Sequence, residues 1–141
     1  MKYAFLLLTV CLFFISCKKH TSDVNSLWPC DIINDDSTSI ASQIVGSWSW
    51  NRYACSTGNL MMADKDIKVT FNSNATFITL EDSSVIAQGT WKLKNSVSNQ
   101  WELDLSSPSE YLKGFIMFCN NQVAFIDSYE DGRNHYFEQK K

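Results

Sequence analysis

From Val45 to the end of the chain, apolar residues recur at every second position in short runs, and that period constrains the fold more than any other feature. A period of two puts alternate side chains on opposite faces of an extended backbone, so each run reads as a half-buried strand. Trp48, Trp50, Arg52 and Ala54 alternate with Ser47, Ser49, Asn51 and Tyr53. Ile67, Val69 and Phe71 follow, and Asn72-Ser73-Asn74 then forms a tight turn. Residues 75–81 are β-rich but mixed in phase. Ala87, Gly89, Trp91 and Leu93 share one face of the next run, and Trp101, Leu103 and Leu105 share one face of the run after it. Residues 111–118 are nearly continuous and apolar, Asn120-Asn121 turns into a run over 123–129, and Asp131-Gly132 is a hairpin signal before a last strand over 134–139. Eight short strands joined by short turns, with no long helical period, predict an all-β, eight-stranded antiparallel up-and-down β-barrel, in which closure removes the exposed edges.

The N-terminal third follows a different pattern. Lys2 precedes a twelve-residue run, Ala4 to Ile15, broken only by Thr9. Such a run is too short to cross a bilayer and has the layout of a secretory signal. It ends Phe14-Ile15-Ser16-Cys17, which resembles a lipobox. The resemblance implies cleavage before Cys17 and acylation of Cys17, including palmitate, so that lipid on the new N-terminus holds the protein at a membrane. Lys18 and Lys19 replace the Asp that marks inner-membrane retention in some bacteria, which points to the outer membrane of the cell envelope. The resulting division is 1–16 signal peptide, 17–38 lipidated N-terminus and tether, and 39–141 barrel domain. Within the tether, Trp28-Pro29-Cys30 is too apolar for a pure spacer. Asp36-Ser37-Thr38 resembles an O-glycosylation acceptor of Bacteroidota, but Asp36 or Ser37 as the N-cap of a short turn through Ile40 to Val45 is the favoured reading.

Charge and cysteine content narrow the function classes. Removing residues 1–16 takes away only Lys2, so acids outnumber bases 15 to 11. An acidic chain with no basic run lacks the electrostatic footprint of a nucleic-acid binder. Cys30, Cys55 and Cys119 remain after processing, enough for one disulfide in an exported domain. In an up-and-down barrel, Cys30 approaches the rim where the first strand begins, and Cys119 returns to that rim after six strands. Cys55 lies at the opposite rim. A bridge needs Cα atoms within about 7 Å, so the expected pair is Cys30–Cys119, with Cys55 free.

Two further motifs carry a resemblance. Gly46-Ser47-Trp48 at the start of the first strand resembles the Gly-x-Trp motif of lipocalins. Val45-Gly46-Ser47-Trp48, together with the ending Ser128-Tyr129-Glu130-Asp131-Gly132-Arg133-Asn134-His135-Tyr136-Phe137, is similar to the small lipocalin-like lipoproteins of Bacteroidota over about residues 40–141. The resemblance implies a non-enzymatic module for a small apolar or amphipathic ligand. In lipocalins an Arg near the chain end packs on the first-strand Trp and closes the barrel floor. The matching region here ends in Lys140-Lys141, a departure in that closure.

Catalytic chemistry has little to work with. His20 lies in the tether, so His135 is the sole histidine of the domain, and no nucleophile-elbow motif is present. Asp35-Asp36 and the Asp64/Asp66 pair lack the spacing of a calcium loop, no Cys-x-x-Cys spacing exists, and no cofactor motif occurs. The aromatics are the informative set. Trp48, Trp50, Trp91 and Trp101 fall on the expected inner faces, with Phe71, Phe115 and Phe125, as pocket walls or as a filled core. Arg52, in phase with Trp48 and Trp50, needs either a ligand acid or an internal partner such as Asp127. The sequence therefore predicts a membrane-anchored, monomeric binding module with Trp48, Trp50, Arg52, Trp91 and Trp101 as candidate ligand contacts. The rival is an envelope structural or interaction lipoprotein with a packed core that acts through its outer surface.

Overall fold

A computed structural model describes residues 36–55, 59–96, 100–127 and 130–140. The signal segment, Cys17, Cys30 and the tether up to residue 35 lie outside the described residues, while the last three tether residues, Asp36, Ser37 and Thr38, are described. The first element among the described residues is a helix, α1, Ser37–Ile44. Asp36 caps it: its Oδ1 accepts a hydrogen bond from the Ser39 N–H at 2.9 Å. That contact satisfies one of the orphan donors of the first turn, so Asp36→Ala is expected to lower stability by about 1 kcal/mol, readable as a shift in the urea midpoint. Ile40 and Ile44 are the buried residues of α1, one turn apart on the same face.

Among the described residues nine strand segments follow, β1 Gly46–Ala54, β2 Leu60–Met62, β3 Ile67–Phe71, β4 Thr76–Glu81, β5 Ser84–Asn95, β6 Trp101–Leu105, β7 Phe115–Cys119, β8 Gln122–Ile126 and β9 Asn134–Gln139. Every pairing is antiparallel, sequential neighbours pair from β3 to β9, and β9 returns to β1. β3 pairs with the first half of β1 and β2 with its second half, so the two occupy one barrel position. The result is a closed, eight-stranded antiparallel β-barrel. Around this ring β6 and β7 meet at only one pair, Glu102 with Phe115, which leaves a seam.

Three local departures from simple alternation reshape the expected strands. β2 is an addition: Leu60-Met61-Met62 has no polar-apolar alternation to betray it. The β1–β9 register shifts between Trp50 and Arg52, where two residues of β1 correspond to one step of β9. Such a bulge reverses the facing of everything beyond it. Trp48 and Trp50 point inward, but Arg52 and Ala54 point outward and Tyr53 takes the inner face. A second shift between Thr79 and Leu80 accounts for the mixed phase of β4. The apolar stretch expected as strand from Tyr111 is strand only from Phe115, since Glu110–Leu112 forms a 3-10 turn. Gly114 separates the two, with φ at +90°.

The core fills the barrel. Trp48, Phe71, Phe77, Trp91, Phe125 and Phe137 are buried in one cluster with Ile40 and Ile44 of α1. Phe71 packs edge-on to Trp91 at 5.9 Å and Phe125 edge-on to Phe137 at 5.8 Å, geometries that aromatic pairs favour. The floor is closed by α1: the Trp48 indole N–H donates to the Ile44 carbonyl at 2.8 Å.

Candidate functional site

At the barrel end where β1 finishes, residues 106–114 fold inward and bury Tyr111 and Leu112 in the core. Tyr111 joins Trp50, Tyr53 and His135 in a four-ring cluster. Trp50 stacks on Tyr53 at 5.4 Å and meets Tyr111 edge-on at 5.2 Å, and Tyr111 meets His135 edge-on at 5.3 Å. The Arg133 guanidinium lies over the Tyr53 ring at 5.3 Å. His135 is 5 % exposed, and its Nδ1 has no hydrogen-bond partner among the described residues. Burial, with the Arg133 charge adding to it, pushes the His135 pKa down to about 4, so the ring is neutral at neutral pH.

Two cavities open here. A cavity of about 350 Å³ sits on the ring cluster and is walled by charged residues, among them Lys65, Lys113, Asp127 and Arg133. A larger groove of about 810 Å³ runs along the β6–β7 seam. Its apolar wall includes Leu103, Leu105, Leu112 and Phe115, and its rim includes Lys94, Glu102 and Glu130. Lys113 and Asp127 line both. Their proximity has a backbone cause. A side chain at Gly114 would strike the Ile126 carbonyl, so only glycine lets residue 114 lie against β8 beside residue 127. Gly132 likewise leaves room for the Asp127 carboxylate. The Asp127 N–H donates to Asn134 Oδ1 at 3.0 Å, and its carbonyl accepts from the N–H groups of Glu130 and Gly132.

The five residues expected to contact a ligand are not brought together. Trp48 is at the floor against Phe118, and Trp91 is in the core against Phe71. Trp101 is half-buried opposite Asn95. Trp50 alone borders a cavity of the open end. The placement of Arg52 on the Trp face is corrected by the bulge: it lies outside, donates to Gln122 Oε1 at 2.7 Å and sits over the Tyr136 ring at 5.4 Å. Gln122, not Asp127, is its partner. Gln122 in turn donates to Glu138.

Register places Cys119 opposite Gln122, and Cys55 next to Ala54, which pairs with Asn134. The two cysteines are thus on opposite rims, as the strand count implied. Both Cys55 and Cys119 are disulfide-bonded, which corrects the expectation of a free Cys55. The pairing of Cys119 with Cys30 lies outside the described residues.

Among the described residues no group of three or more His, Cys, Asp or Glu is placed to hold a metal ion. The geometry defines a closed up-and-down barrel with a packed core and a solvent-open amphipathic groove at one end. No protein-family model matches the sequence, and no curated protein matches it.

Proposed function

We propose that the chain is a membrane-anchored, lipocalin-like binding module that takes a small amphipathic molecule in the groove at the β6–β7 seam. One observation carries the reading: a groove of about 810 Å³ with an apolar wall and a charged rim. That volume and lining suit a small ligand with a polar end. Because the interior is filled, this reading puts the site at the barrel's edge and not on its axis. Native mass spectrometry of the purified mature chain tests the proposal. Adducts of a few hundred daltons that leave on collisional activation are expected, and a bare mass after gentle purification counts against the reading.

The anchor is the second half of the proposal. Cys17→Ala is expected to release the protein from membranes, read by fractionation in high salt, because acyl chains hold with about 0.8 kcal/mol per buried CH₂. Persistence in the membrane pellet overturns lipidation at Cys17. The rival, an envelope module working through its outer surface, draws support from the packed interior and from the exposed Met62, Val85 and Ile86. Saturable small-molecule binding that is lost on filling the groove, with Leu103→Trp, separates the two.

A further inference from the structure

The groove and the ring-floored cavity meet at two residues, Lys113 and Asp127. Around them the other cations are engaged: Lys65 pairs with Glu81 at 2.8 Å, Lys94 with Glu102 at 3.3 Å, and Arg133 covers Tyr53. Lys113 has no ion pair among the described residues, and neither has Asp127. Asp127 also differs from the acids around it. Asp64, Glu110 and Glu130 are exposed, whereas Asp127 is half-buried, and its main chain is fixed by the hydrogen bonds of the β8–β9 turn. A half-buried carboxylate on a fixed main chain, with no ion pair among the described residues, is ready for a cation. Trp50 and Tyr111 line the same cavity, and aromatic rings attract a cation as well.

We infer that the site recognises a zwitterionic head group on a single apolar tail, with the ligand's ammonium at Asp127 and the Trp50 and Tyr111 rings, and its anionic oxygen at Lys113. The tail lies along Leu103, Leu105 and Phe115. The inference rests on the amphiphile-binding reading above and adds the chemistry of the head. A head with one charge leaves either Lys113 or Asp127 unmatched, and an uncharged head leaves both. Neutral His135 adds no repulsion to an approaching ammonium.

Four probes with the same six-carbon tail test this by calorimetry on the mature, lipid-anchored chain in phosphatidylglycerol nanodiscs: hexylphosphocholine, hexyltrimethylammonium, hexyl phosphate and hexyl glucoside. Hexylphosphocholine is expected to bind at least tenfold more tightly than the other three. Asp127→Asn is expected to erase its advantage over hexyl phosphate, and Lys113→Met its advantage over hexyltrimethylammonium. Lys113 is exposed, so its variant reports on binding even where the Asp127 variant loses stability. Equal affinity for all four probes overturns the head-group inference and leaves the groove reading standing, while no binding by any probe overturns both. Competition by phosphatidylcholine nanodiscs places the head group in a bilayer, and its absence places it on a free amphiphile; either result upholds the recognition chemistry.

Discussion

Trp48→Ala is expected to cost about 4 kcal/mol, close to the whole stability of a marginal domain. The side chain is 3 % exposed and is the piece through which α1 seals the barrel floor. Truncation leaves a cavity beneath Ile40 and Ile44 and removes packing against Phe118, whose ring centre lies 6.2 Å away. It also strips the Ile44 carbonyl of its indole donor at the end of the helix, a buried acceptor that is costly to leave unmade. Trp48→Phe separates the two contributions: it keeps most of the packing and loses only the donor, so a loss of about 1–2 kcal/mol is expected. Urea denaturation of both variants checks this. A Trp48→Ala loss below about 1 kcal/mol overturns the picture of α1 as the floor.

Trp48 also shows what was legible in the sequence. Gly46-Ser47-Trp48 pointed to a first strand opening at a barrel floor, and Asp36 pointed to a helix cap; both hold. Alternation and turn residues located most of the strands, because burial of one face selects a period of two wherever the ladder is regular. Where the ladder is irregular the same signal misleads. The bulge between Trp50 and Arg52 sends Arg52 outside, and nothing in the local pattern of Asn51 and Arg52 announces an inserted residue. The facing is decided by β9, 84 residues away in sequence by the pairing of Arg52 with Tyr136. At Tyr111 a signal was available: a glycine at 114 inside an apolar run marks a break, and its positive φ ends the turn that buries Tyr111 and Leu112.

The groove was not legible at all. It exists because β6 and β7 fail to pair beyond Glu102 and Phe115, and a missing pairing leaves no mark on either strand. Its walls, Leu103, Leu105 and Leu112, are ordinary core-type residues in sequence. Lys113 and Asp127 acquire meaning only when Gly114 packs against Ile126. The tryptophans are ambiguous in sequence because aromatic residues serve both as pocket walls and as core, and composition does not separate the two uses. Here three of the expected four are buried, and the core reading holds for Trp48 and Trp91.

Acidification is expected to weaken the barrel through His135. Above pH 6.5 the ring is neutral in both native and unfolded chains, so its depressed pKa has no effect there. Below pH 6.5 the unfolded chain takes up a proton while the native protein resists until about pH 4. The unfolded state therefore binds more protons in this window, and stability falls as the pH falls through it, by about 3 kcal/mol at pH 4. Solvent screens little of this effect, since the side chain is buried among Trp50, Tyr53 and Tyr111. The charged groups around the same cavity are Asp64, Lys65, Glu110, Lys113, Asp127 and Arg133, and Arg133 adds to the burial in opposing the imidazolium. His135→Phe keeps a ring in the cluster and removes the titration. Urea midpoints at pH 7, 5.5 and 4 then differ between the two proteins in one direction only: the wild-type chain loses stability steeply below pH 6.5, and the variant holds a shallower profile over the same range. An equal acid loss in the variant assigns the effect to the carboxylates and removes His135 as its cause.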